Sequence, residues 1–358
     1  MSYLLSSEVI FPDNHYSQEE LLDALLELWG DRLFNPDRLR QFFANVRVGG
    51  RHLALPKERY HEVRDFGPRN LAFREVALDL LERLTPPLLE RSSRKVEEVD
   101  TIVSTTVTGL AVPTLEARLM NRLPFSPRTT RVPLFGLGCL AGAAGVARLA
   151  DLLKGTDKLG LLLAVELCSL TLQTKDVSIA NLVATGLFGD GAAGVVMAGE
   201  QCARSQELVS QGQGCKVVDS RSVFFPDSEE VMGWEFDSDG FQIVLNNQVP
   251  AYAAGPVCRE LKTFLSDHGL DSQDIAHWLA HPGGPKVMGA IEEGLNCPGA
   301  LDVSRRSLEE VGNLSSVSVL TILHELLQSG RPRPGDWALL MAMGPAFCAE
   351  FVLLKWEV

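Results

Sequence analysis

Three residues in this chain have the types and settings for nucleophilic chemistry: a thiol at Cys139, an imidazole at His281 and an amide at Asn313. Cys139 follows an apolar run at residues 132–137 and opens an Ala- and Gly-rich segment that reads as a helix to Leu153. First-turn amides of a helix lack internal partners. A thiolate there is stabilised by hydrogen bonding and by the macrodipole, and a nearby imidazole would complete its activation. His281 follows Trp278-Leu-Ala280 and precedes Pro282-Gly283-Gly284-Pro285, which sets it at a strand end where the backbone turns sharply. Asn313, in Gly312-Asn-Leu-Ser-Ser316, stands where a second apolar helix begins, and its amide can donate to a developing oxyanion without competing for the imidazole proton. Each residue also has a plainer use. A lone Cys serves as a small core hydrophobe, a His beside Pro-Gly as a turn residue, and an Asn as a helix cap.

The elements that must position these groups alternate between β and α. Residues 4–11 read as a strand, and Ser17-Gln-Glu-Glu20 has capping-box spacing for a helix to about Trp29. Helices are expected at 36–44 and at 70–84, the latter stopped by Pro86-Pro87. Buried strands follow at 100–106, 161–167 and 190–197. Residues 199–230 are polar and weakly periodic, which suggests a surface excursion and a seam between halves. Beyond it come a strand at 240–245, a helix at 257–268, a strand at 276–280, an apolar helix at 314–328 and closing strands at 337–343 and 349–354. Buried strands mixed with helices give an α/β class.

Aligning Cys139 with Asn313 superimposes Gly138 on Gly312, Leu140 on Leu314, Leu149 on Leu323 and Leu153 on Leu327. Read as a repeat, this gives a duplicated α/β unit, residues 1–205 and 206–358, with two small-residue helices aimed at a shared cleft. Chance matching of Gly and Leu is the alternative.

Composition sets limits. With 358 residues and a formal net charge of −13, the chain can bury an extensive core but lacks a block of basic residues for nucleic acid. Its seven cysteines are odd in number and scattered, neither a disulfide framework nor a zinc pattern. The N-terminal residues lack signal-peptide character, and Glu166 interrupts the most apolar run, residues 159–172. A cytoplasmic protein, off the membrane, is therefore expected.

Together Gly138-Cys139, Leu187-Phe-Gly-Asp-Gly-Ala-Ala193, His281-Pro-Gly-Gly-Pro285, Gly312-Asn-Leu-Ser-Ser316 and Gly344-Pro345 resemble the thiolase superfamily, and within it the type III polyketide synthases, the chalcone synthase-like enzymes of bacterial type. The resemblance spans nearly the whole chain. It implies a thiolase-like fold with a layered α-β-α-β-α core, a homodimer, and no metal, nicotinamide or carrier-bound cofactor. It also implies a reaction: Cys139 takes an acyl group from an acyl-CoA, and His281 and Asn313 stabilise the enolate formed when malonyl-CoA loses carbon dioxide. That enolate attacks the acyl-Cys139 thioester in a Claisen condensation, leading to a pyrone or resorcinol-type product. By the same resemblance Phe188 is a gatekeeper, Ile243 replaces a second aromatic gatekeeper, and Thr106, Val112, Cys168, Thr171 and Ser315 surround the cavity. Val112 also reaches across the dimer. Arg38 and Gly283 are the CoA-binding counterparts. The chain departs from the family at Gly344-Pro345-Ala346, where Ala stands for a Gly and is expected to resist a positive φ. The alternatives are a single-condensation ketoacyl synthase III-like enzyme, a non-catalytic binding subunit of the same fold, and a papain-like hydrolase, which the mid-chain Cys139 disfavours.

Overall fold

A computed structural model describes residues 1–33, 35–210 and 214–357. Nine strands of the described residues hydrogen-bond into one mixed sheet: β1 (Ser2–Ile10), β2 (Thr101–Thr105), β3 (Thr130–Leu134), β4 (Leu159–Leu167), β5 (Asp190–Gly199), β6 (Cys215–Phe224), β7 (Ile275–Ala280), β8 (Trp337–Gly344) and β9 (Cys348–Lys355). Their order is β7-β8-β9-β6-β1-β5-β4-β2-β3. Outward from the β1/β6 pair the two sides repeat one pattern. On one side β1/β5 and β5/β4 are antiparallel and β4/β2 is parallel. On the other, β6/β9 and β9/β8 are antiparallel and β8/β7 is parallel. The sides meet over a short antiparallel stretch, Ser2–Leu4 against Cys215–Val217.

Three helices define the layers: α1 (Phe66–Arg91), α2 (Ala141–Leu153) and α3 (Ser316–Gln328). Strand alternation shows which face meets which helix. On β4, Leu162 and Ala164 join the cluster around α2 and α3, whereas Leu161, Leu163 and Val165 join α1. On β8, Ala338, Leu340 and Ala342 face the same central helices, while Leu339, Met341 and Met343 pack on the outer helices Cys258–Asp267 and Pro285–Leu295. The two halves of the sheet therefore face each other across the central helix pair, and the layers run helix, half-sheet, helix pair, half-sheet, helix: the thiolase-like arrangement. The central helices are buried over most of their surface because most of their residues are small or aliphatic, and Arg148, Asp151, His324 and Glu325 mark the parts that are not. A Cβ added to Gly142 of α2 would lie 2.2 Å from the Ser316 carbonyl of α3, so only glycine permits this approach. Both helices have thirteen residues, but aligning Cys139 with Asn313 starts them one residue out of step.

Two expectations are corrected. Pro86 and Pro87 do not end α1, which runs on to Arg91. Both prolines are exposed, so the carbonyls they leave unpaired face water, while Leu84, Leu88 and Leu89 hold the helix in the core. The polar stretch 199–230 is not merely an excursion, since it contains β6; its residues 211–213 lie outside the described residues. β6 is polar because it is only half buried, with Arg221 paired to Asp267 and Ser222 donating to Glu350. No described helix is long and apolar enough to cross a membrane.

Candidate active site

Cys139 lies in a single 3-10 turn, Gly138–Leu140, which feeds directly into α2. The turn needs the positive φ of Gly138, +51°, and a Cβ there would come within 2.7 Å of the Pro345 ring. The Gly344-Pro345 turn thus supports the nucleophile's turn from below. Ala346 does adopt a positive φ, +54°, contrary to expectation, so the glycine-type turn survives at the cost of strain.

His281 is buried just beyond the end of β7, its N–H donating to Met341 O at 2.8 Å and its own carbonyl accepting from Gly283 N–H at 2.9 Å. Gly284, at φ +126°, then turns the chain into helix Pro285–Leu295. Asn313 stands ahead of α3 with its amide orientation fixed. Oδ1 accepts from Ser315 N–H at 2.8 Å and from Ser318 Oγ at 3.4 Å, which directs Nδ2 toward His281 Nε2 at 3.4 Å. Ser315, at φ +51°, brings its hydroxyl to 3.5 Å from Cys139 Sγ. The three residues singled out from the sequence therefore meet at the ends of three different elements, with Ser315 between the thiol and the amide.

Burial dominates the electrostatics of the site. It pushes the Cys139 thiol up to about 12, against a lowering contribution from Ser315 and with a further rise from the Glu166 carboxylate. It pushes the His281 imidazole down to about 4. Both shifts favour the neutral thiol and the neutral imidazole over the thiolate that a helix N-terminus alone would favour.

Sequence reasoning missed Glu166 as a site residue, although a carboxylate inside the most apolar strand was the signal. It is fully buried at the end of β4, and desolvation raises its pKa. Oε2 accepts from Thr106 Oγ1 at 3.3 Å, Val107 N–H at 3.0 Å and Thr108 Oγ1 at 2.8 Å. Oε1 accepts from Ser316 Oγ at 2.5 Å. The carboxylate therefore ties the loop after β2 to the start of α3.

Phe188 is bound to this machinery through its backbone. It forms a β-bridge with Asn313, in which Asn313 N–H donates to Leu187 O at 2.8 Å and Gly189 N–H to Asn313 O at 2.9 Å. Phe188, Ile243, Cys168 and Thr171 line a cavity of about 1150 Å³. Thr106 is held by Glu166, and Ser315 sits at the thiol. Val112 lies away from the cavity at 93% exposure. Arg38 stacks over the Phe42 ring and Gly283 sits beside His281, neither of them on the cavity wall. Basic groups on that wall are instead Arg32, Arg51, Lys57, Arg64 and Lys175.

Comparison with known proteins agrees with this geometry. Residues 51–201 match the N-terminal domain, and residues 216–356 the C-terminal domain, of the chalcone and stilbene synthases. The chain is 44% identical over 348 residues to a 1,3,6,8-tetrahydroxynaphthalene synthase of Streptomyces peucetius subsp. caesius, covering 96% of this chain and 90% of that protein. It is 28% identical over 360 residues to a phloroglucinol synthase of Pseudomonas fluorescens, covering 99% of each. The crystal structure of the 1,3,6,8-tetrahydroxynaphthalene synthase of Streptomyces coelicolor, a bacterial type III polyketide synthase, superimposes with a TM-score of 0.91 at 29% identity over 99% of both chains. With a half-buried thiol and a buried imidazole and amide set at the ends of three elements, the chain belongs to the chalcone and stilbene synthase family and is a bacterial type III polyketide synthase.

Proposed function

We propose that Cys139 is the nucleophile that carries the growing acyl chain, and that His281 and Asn313 act as its proton acceptor and oxyanion donors. The observation that carries this reading is the fixed amide of Asn313. With Oδ1 held by Ser315 N–H, Nδ2 can donate only toward the space beside His281 Nε2. When an acyl-CoA binds, the thiol proton passes to His281 and the thiolate attacks the thioester carbonyl, releasing CoA. The imidazolium Nε2–H and the Asn313 Nδ2–H then converge on one point. There they stabilise the enolate oxygen formed as malonyl-CoA loses carbon dioxide; the enolate carbon bonds to the acyl carbon as the Cys139 thiolate leaves, and the extended chain, now a CoA thioester, is taken back by Cys139 with release of CoA.

The proposed product is a pyrone or resorcinol-type ring made from an acyl-CoA primer by repeated malonyl extension. Phe188 and Ile243 would limit what enters, with Cys168 and Thr171 shaping the growing chain, and Arg38 and Gly283 joining the basic wall residues in holding CoA. The proposed assembly is a cytoplasmic homodimer, supported by the exposed Val112 and by the exposed Phe135–Phe236 ring pair. The proposed halves are 1–205 and 206–358, supported by the strand pattern that repeats on either side of the β1/β6 pair.

The test is mass spectrometry of the protein after incubation with malonyl-CoA and acyl-CoAs from short to long, with Cys139→Ala alongside. An acyl adduct on Cys139 and ring products absent from the variant are expected. Open β-keto products after a single condensation, or products that persist in the variant, would sink the reading.

A further inference from the structure

A second hydrogen-bonded chain reaches the cavity wall from a buried carboxylate that the condensation chemistry does not use. Asp190 is fully buried at the start of β5. Its Oδ1 accepts from Ser169 N–H at 2.8 Å, and its Oδ2 accepts from Ala54 N–H at 2.6 Å and from the Ser169 hydroxyl. The Ser169 hydroxyl also contacts the Tyr60 hydroxyl. A serine has one hydroxyl proton, and it goes to Asp190, so the Tyr60 O–H must donate to Ser169 Oγ. Tyr60 Oη, which also takes a backbone hydrogen bond from Leu55, keeps one lone pair to accept with, and burial beside Asp190 holds the phenol well above its ordinary value, so it passes a proton on without resting as a phenolate. Both Tyr60 and Ser169 line the 1150 Å³ cavity beside Cys168 and Phe188. The array is therefore oriented to draw a proton out of the cavity: from Tyr60 Oη, through Ser169, to Asp190.

We propose that Tyr60, backed by Ser169 and Asp190, is an acid–base centre for ring closure that acts on the poly-β-keto chain carried by Cys139; this rests on the function proposed above. The methylene between two carbonyls of that chain loses a proton to Tyr60 Oη, and the C–H electron pair remains on carbon as an enolate. The tyrosine's own proton moves to Ser169 Oγ and the serine's to Asp190 Oδ2. The enolate carbon bonds to a carbonyl carbon of the same chain, and the proton array runs back to the new alkoxide. Desolvation lifts Asp190 to about 6 in spite of its three donors and the nearby Arg51 guanidinium, which suits it to accept a proton near neutral pH. Arg51, Tyr60 and Cys168 are the titratable groups that interact with it electrostatically.

The test measures the ratio of ring-closed to open-chain products, with CoA release followed in parallel, for the full chain supplied with malonyl-CoA and the acyl-CoA primer it uses best. In Tyr60→Phe that ratio is expected to fall on the order of 10²-fold. Ser169→Ala should lower it as well, and Ser169→Thr, which returns the hydroxyl, should restore it. In the wild type the ratio should drop as the pH falls through about 6, where Asp190 takes up a proton, and in Tyr60→Phe this dependence should vanish. An unchanged ratio in Tyr60→Phe and Ser169→Ala overturns the proposal. So does a loss of all products in constant proportion, which is what a purely structural tie would give. Absence of any Cys139-dependent CoA release from the wild type sinks the proposed function, and this inference with it.

Discussion

Gly142→Ala should damage turnover more than any other single methyl added to α2. The new Cβ would sit 2.2 Å from the Ser316 carbonyl oxygen and 2.7 Å from Val319 Cγ1, whereas ordinary contact begins at 3.4 Å. About 1.2 Å must be found, and the obstacle is backbone, so α3 has to move. Ser316 is the first residue of α3, preceded directly by Ser315 beside the thiol, with Asn313 two residues further back. A shift of about 1 Å in such groups costs on the order of 10²-fold in rate. The stability cost is smaller: overpacking takes ~1–3 kcal/mol, and the better helix propensity of Ala returns about 1 kcal/mol. Gly145→Ala is the control. Its Cβ would meet Leu162 Cδ1 at 2.6 Å, the far end of a side chain that can rotate away, so it should unfold near the wild-type midpoint and turn over normally. Urea midpoints and the steady-state rate of CoA release for both variants decide the matter. A Gly142→Ala enzyme with wild-type turnover, or two variants equally impaired, would refute the reasoning.

Three further outcomes are expected. Glu166→Leu leaves four donors without their acceptor, at about 1–3 kcal/mol for each that stays buried and unpaired; Glu166→Gln should cost less, because the Ser316 hydroxyl can turn and accept from the new amide. Urea midpoints that rank Leu above Gln would show that desolvation of the carboxylate outweighs its hydrogen bonds. Ala346→Gly relieves a φ of +54° and should stabilise the fold by up to about 1 kcal/mol, seen as a raised midpoint without a change in slope. His281 and Asp190 oppose one another in acid. The imidazole is held down to about 4 from 6.5, so its contribution is lost as pH falls below 6.5; Asp190 is raised from 3.8 to about 6, so its contribution is lost as pH rises from 4 to 6. Removing the imidazole as His281→Asn should therefore make stability rise on acidification from pH 7 to 4 relative to the wild type, by about 3 kcal/mol. Parallel stability curves for the two proteins would rule this out.

What could be read from the chain alone was whatever local chemistry decides. The capping box at Ser17 and Glu20 forms as expected, His281 lies one residue past a strand end, and Asn313 and Cys139 each stand just before a buried helix. What escaped was decided by partners far away. β6 looks like loop because its polar residues find Asp267, on an outer helix, and Glu350, on β9, only in the folded chain. Pro86 and Pro87 looked like a helix stop because nothing local shows that Leu84, Leu88 and Leu89 are gripped by a core. Glu166 announced itself as a charge in an apolar run, but its donors come from Thr106, Val107, Thr108 and Ser316, which no spacing rule connects. The link from Tyr60 through Ser169 to Asp190 likewise draws on three separate elements.

The bridge between Phe188 and Asn313 constrains how such an enzyme can change. The ring that borders the cavity and the amide beside His281 belong to two segments stitched by paired backbone hydrogen bonds, so neither can be displaced alone. A substitution that widens the cavity by moving the Phe188 backbone would shift the Asn313 amide at the same time. Divergence toward new substrates is then steered to side chains on free-standing wall positions, such as Ile243 on its two-stranded ribbon, where the cavity can be reshaped while the reacting groups stay in place.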